Sequence, residues 1–143
     1  MNKAKHCSFH ITLTAEEKIR CWTIDEEERK KQIELKEGEE EYDCSIQFDR
    51  NEIVCCSTSE EEEKEGSIKF VNDMISQPRE MKKYNIKYQE KEYEVIGEVL
   101  LALIVNEFKK KAEKEMIIDE TFVSVESDSH YLCERITTSL ESI

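Results

Sequence analysis

The sequence predicts an α+β fold in layers: a mixed sheet assembled from β-hairpins, with two helices toward the C-terminal end. Three patterns lead there. Phe9, Ile11 and Leu13, then Ile19, Cys21, Thr23 and Ile24, alternate with polar residues on either side of a short turn, as two half-buried strands do. A second such pair occupies residues 44–48 and 52–55. Finally, two stretches of helical period, 98–115 and 129–143, enclose the β-prone run Thr121, Phe122, Val123, Ser124 and Val125.

Taken in order, the first hairpin turns through Thr14, Ala15, Glu16, Glu17 and Lys18. Ile33 and Leu35 suggest a short strand between the acidic clusters 25–28 and 37–41, which read as solvated turns together with a third cluster at 60–65. The second hairpin turns at Asp49, Arg50 and Asn51. After Gly66, Ile68, Val71 and Ile75 share one helical face, and this helix must stop before Pro78. A third hairpin is expected at 85–88 and 92–95, with Ile86, Tyr88, Tyr93 and Val95 as its packing side chains. In the long helix Leu101, Ile104, Phe108 and Ala112 form a stripe that Leu100 and Leu103 widen, so its first half is buried on more than one side. The last helix aligns Leu132, Ile136, Leu140 and Ile143.

At 143 residues the chain reads as one domain, 1–143, with enough length for a real core. Lys and Arg number 21 against 34 Asp and Glu, a net charge of −13 that repels nucleic acid and anionic membranes alike. The longest apolar run, 99–105, is far too short to span a bilayer, and the first residues lack the apolar segment of a secretory signal. Six cysteines without a Cys-x-x-Cys pair fit a reducing compartment, so a cytoplasmic location is expected.

The order of hairpin, hairpin, helix, hairpin, long helix, β run and helix resembles the first part of the nucleotide-binding domain of the heat-shock protein 70 chaperones, members of the actin-like, ribonuclease-H-like ATPase fold. The clearest match is the helix from Glu98 to Glu113, which looks like a family helix of the same length ending in Ala-Glu, here Ala112 and Glu113. It continues through residues 121–125 into the helix that contains Cys133, and Phe70 heads a helix in family order. The resemblance implies one lobe of that fold, ending at Ile143 before its remaining strands and the second lobe.

The departures fall where the family's chemistry lies. Its first turn holds magnesium-bound phosphate with an Asp followed by Leu, Gly and two Thr; here stand Thr12, Leu13, Thr14, Ala15 and Glu16, and only Leu13 agrees. A Lys that positions the hydrolytic water falls near Asp73, and a Pro of the interdomain switch falls at Glu126. Carboxylates repel phosphate, and a Cβ at every turn position keeps the backbone from closing around one. Phosphoryl transfer needs positive charge on the γ-phosphate, which these positions lack.

The first reading is therefore a heat-shock protein 70-like fragment without catalytic, nucleotide-binding or metal-binding residues and without a cofactor. It would act by contact with protein partners of the chaperone system or with itself. A second reading keeps ATP or ADP bound, with magnesium on Glu16 or Asp73; a third is an unrelated acidic adaptor.

Other constellations carry less. His6, Cys7 and His10 lie close in sequence, but strand alternation sends Cys7 and His10 to opposite faces, and Cys55 and Cys56 are adjacent rather than spaced for a shared ion. Cys133 and His130 could meet on one helix face, yet no orienting group or oxyanion loop accompanies them. Glu16 with Glu17, or Glu61 with Glu62, cannot be singled out as an acid–base pair among 34 acids. Lys109, Lys110 and Lys111 suit the C-terminal half of a helix. Trp22 is expected to fill the core between sheet and helices.

Overall fold

The computed structural model describes residues 5–49, 51–56 and 67–141. Arg50 of the second hairpin turn, the acidic run 60–65, Gly66 and Ile143 lie outside them. The main sheet is formed by β1 (Lys5–Leu13), β2 (Lys18–Asp25), β3 (Lys30–Gln32) and β10 (Met116–Val125) in the order β10-β1-β2-β3, and β4 (Tyr42–Asp43) also pairs with β2. It is mixed, because β10 runs parallel to β1 while β1, β2 and β3 are antiparallel.

Alternation sorts β1 and β2 cleanly. Phe9, Ile11, Leu13, Ile19 and Cys21 are buried on the inner face, where α2 (Gly97–Glu113) and α3 (His130–Glu141) supply Leu100, Leu101, Ile104, Phe108, Leu132 and Ile136 to the same core. Each such side chain contributes roughly 1.5–3 kcal/mol on full burial. Phe108 meets the edge of Tyr42 with ring centroids 5.5 Å apart. The Tyr42 hydroxyl accepts the Leu35 and Lys36 N–H groups (2.8 and 3.0 Å) and donates to the Glu39 carbonyl (2.5 Å), which folds the acidic segment after β3 onto the core.

Two smaller sheets complete the chain. One has the order β6-β5-β7, from β5 (Ser45–Asp49), β6 (Glu52–Cys55) and β7 (Ile68–Lys69); the other is the hairpin of β8 (Lys83–Tyr88) and β9 (Lys91–Ile96). Tyr84 packs edge-on against Phe70 (6.5 Å) and Tyr88 against Phe48 (6.0 Å), which fastens the hairpin to the rest. α1 (Val71–Ser76) begins after Phe70 and approaches α2 so closely that a Cβ at Gly97 would lie 2.7 Å from the Met74 sulfur.

The structure corrects the sequence reading in five places. The strand expected at Ile33 and Leu35 falls at β3 instead; Ile33 follows it, held by its N–H on the Cys21 carbonyl (2.8 Å). Ile68 pairs with Ile46 in β7 rather than joining α1, whose buried face is Val71 and Met74. Tyr93 is 43% exposed and does not pack. The β run at 121–125 is the second half of a longer strand: β10 starts at Met116, and a bulge opposite Cys7 and Ser8 accommodates Asp119. Trp22 lies half-buried on the outer face of the sheet, not in the core.

Candidate functional site

The β1–β2 turn is closed from within. The Thr14 N–H donates to the Lys18 carbonyl (2.9 Å), the Glu17 N–H to the Thr14 carbonyl (3.1 Å), and the Lys18 N–H to Thr14 Oγ1 (3.2 Å). Glu17 adopts a left-handed conformation (φ 63°), where a side chain is strained. Its groups are engaged on both sides: the carbonyl accepts the Cys44 N–H (2.8 Å) and the carboxylate accepts the Asn72 N–H at the start of α1 (2.7 Å). A carboxylate thus occupies backbone donors of the kind an anion would use.

Nearby cations are committed as well. Lys18 is paired with Asp43, and Arg20 Nε reaches Glu41 at 3.1 Å. Asp73 accepts from the Tyr84 hydroxyl (2.7 Å) and from Lys82 (3.0 Å), and these donors hold its carboxyl below the usual range. Burial, and then Asp73 itself, push the Tyr84 hydroxyl up. Glu16 is exposed on the turn, Thr12 lies within β1 opposite Ser124 and Arg20, and the Glu126 N–H donates to the Leu13 carbonyl (2.9 Å). Thr14, Asp73 and Glu126 therefore serve the fold's own contacts, while Ala15 and Glu16 are exposed.

The outer face of the main sheet was not foreseen. His10 stacks on Trp22 on one side (5.5 Å, 7° between planes) and on Phe122 on the other (5.1 Å, 20°), while Lys30 lies 4.6 Å above the Trp22 ring. The ladder Phe122–His10–Trp22–Lys30 crosses β10, β1, β2 and β3. Ser8, His10, Thr12, Trp22 and Ile24 on this face are half-buried, and Arg20, Glu120, Phe122 and Ser124 are exposed. The alternation of β1 and β2 could have revealed half of it; the parallel pairing that brings Phe122 beside His10 has no local signal.

The two histidines of β1 titrate in opposite directions. The hydrogen bond that His6 Nδ1–H donates to Asp119 (2.8 Å) raises His6, whereas burial and then Lys30 lower His10. An NMR titration should place the His6 midpoint above 6.5 and that of His10 below it, and Asp119→Asn should return His6 toward its ordinary value. The signs follow from linkage. The His6 contribution is fully present below the unfolded pKa and is lost as pH rises through the folded one. The neutral state favoured at His10 is lost as pH falls, because the unfolded chain takes up that proton first. Identical midpoints for the two would refute the assignment.

The remaining candidates separate. Cys7, Cys21, Cys44 and Cys56 are buried with their thiols pushed up by that burial, and Cys55 is raised to about 12. Such thiols are poor nucleophiles at neutral pH. Cys133 directs its sulfur to the Ser127 carbonyl (3.7 Å), and His130 is exposed at the start of α3. Among the described residues no group of three or more His, Cys, Asp or Glu is placed to hold a metal ion, and no helix is long and apolar enough to cross a membrane. A crevice of about 660 Å³ opens between β3, the segment after it and the end of α2. Its Lys31 is tied to Glu115 (2.5 Å) and its Lys111 donates to the Glu34 carbonyl, so both ammonium groups are engaged.

These features define an α+β domain with a closed turn and an open, aromatic sheet face. No protein-family model matches the chain, and no curated protein matches it in sequence.

Proposed function

We propose that the chain is a non-catalytic protein-interaction domain of heat-shock protein 70 ancestry, acting by contact through the open face and edge of its main sheet. The observation that carries this is the β1–β2 turn, where the Glu17 carboxylate takes the Asn72 N–H while Lys18 and Arg20 are paired with Asp43 and Glu41. A phosphate arriving there would have to displace one anion and face others. The order of elements, with three hairpins, a long helix, a β-strand and a final helix, agrees with the resemblance. Partners in the chaperone system and a cytoplasmic setting go with that ancestry.

A thermal melt with ATP, ADP or neither, each with and without magnesium, tests the reading. The expected result is no shift. A ligand at about 100 times its dissociation constant adds about 2.7 kcal/mol, roughly 5–10 °C for a chain of this size. A magnesium-dependent shift of that order would overturn the proposal in favour of a nucleotide-binding domain.

A further inference from the structure

We infer that the free edge of β10 is a docking site for an extended, basic and apolar segment of a partner protein, added to the sheet as a further strand. The inference rests on the protein-interaction reading and names the partner's chemistry. Among the described residues β10 pairs with β1 alone, so alternate residues of this 10-residue strand turn N–H and C=O groups to an edge with no neighbouring strand, where the last carbonyl, that of Val125, accepts the Ser127 N–H (2.9 Å). Proteins blunt such an edge with Lys or other charges, with Pro or with a bulge. Residues 116–125 include no Lys or Pro, and beyond the bulge at Asp119 the stretch Glu120–Val125 keeps regular register with β1.

The side chains along the edge specify what fits. On the outer face Ile117 and Phe122 are 44% and 49% exposed, and Phe122 is the last ring of the ladder that starts at Trp22. A strand laid beside β10 would set its own side chains directly next to these, and an aromatic residue there extends the ladder. On the inner face Thr121, Val123 and Val125 are half-buried and want apolar, β-branched neighbours. Glu120 on the edge, with Glu126 and Asp128 just beyond it, calls for Lys or Arg. A second copy of this chain is disfavoured, since it would bring the same acidic edge and its own net charge of −13. Main-chain hydrogen bonds would give affinity, and the alternating side chains selectivity.

The test uses a labelled peptide, Lys-Val-Lys-Val-Phe-Val-Lys-Val-Lys, with fluorescence anisotropy for affinity and amide NMR shifts of the full chain for position. Binding with shifts confined to β10 and its neighbour β1 is expected. Methylating alternate peptide nitrogens should abolish it, replacing the peptide's Lys by Glu should do the same, and Glu120→Lys should weaken it about tenfold. Phe122→Ser should weaken it about fivefold. Equal binding of the N-methylated peptide, shifts elsewhere, no binding of the basic peptide, or a dimer of the chain with protected β10 amides would each overturn the assignment. Such a failure with a silent nucleotide melt removes the β10 site alone, whereas a magnesium-dependent melt shift removes the non-catalytic reading itself.

Discussion

Phe108→Ala should lower stability by about 3–5 kcal/mol, a large share of the roughly 5–15 kcal/mol that holds a domain of this kind. Phe108 is 0% exposed at the centre of the α2 stripe, so truncation loses its transfer free energy and leaves a cavity that rigid neighbours fill only in part. The damage extends beyond one ring. Tyr42 rests edge-on against Phe108, and its hydroxyl fixes the segment around Leu35, Lys36 and Glu39. Urea unfolding should show a lower midpoint with an unchanged slope. Phe122→Ser, on the open face, serves as the comparison and should stay within about 0.5 kcal/mol. A loss below about 1.5 kcal/mol at Phe108 would mean that α2 does not seat on the sheet as described.

The second large effect concerns a charge inside the helix layer. Arg135 on α3 reaches Glu98 in the first turn of α2 at 3.1 Å, with side chains only 13% and 8% exposed. Its other amino group donates to the Pro78 carbonyl (2.9 Å), its guanidinium faces the Tyr131 ring at 5.6 Å, and its buried Nε has no partner among the described residues. One side chain thus ties α3 to α2 and to the segment after α1. Arg135→Met alone should cost about 3–5 kcal/mol, because Glu98 is left buried and unpaired. Glu98→Leu alone strands Arg135 in the same way. The double variant should recover most of the loss, because two apolar side chains there need neither partner. Strictly additive losses in the double-mutant cycle would show that the pair is not coupled.

The two effects are not equally visible in the sequence. Phe108 was legible, because its stripe has helical period and the alternation of β1 and β2 supplies the opposing face. The Glu98–Arg135 pair was not: each residue reads as an ordinary polar position on its own helix, and only packing makes them neighbours. Distance in sequence hid the rest. Glu17 meets α1 across 55 positions, so the turn appeared merely unsuited to phosphate when its carboxylate in fact has a structural use. The first half of β10 was missed because Asp119 and Glu120 interrupt its alternation, and the bulge that tolerates them belongs to the pairing with β1. Trp22 was misassigned to the core for a related reason. Strand parity puts it with His10, but the ring that completes their stack comes from β10.

The parallel pairing of β1 with β10 also bears on how the chain reaches this fold. β1 is made before its partners, and its antiparallel neighbour β2 follows at once. Its other neighbour emerges about a hundred residues later, which takes on the order of ten seconds at typical rates of synthesis. α2 comes only just before that flank and α3 after it, so the side chains that cover Phe9, Ile11 and Leu13 are equally delayed. β1 and β2 alone form a two-stranded ribbon, marginal in water, until β3 and β4 join β2. A nascent chain therefore carries β1 without its parallel neighbour for about a hundred residues of synthesis, and closure of the sheet is a long-range event.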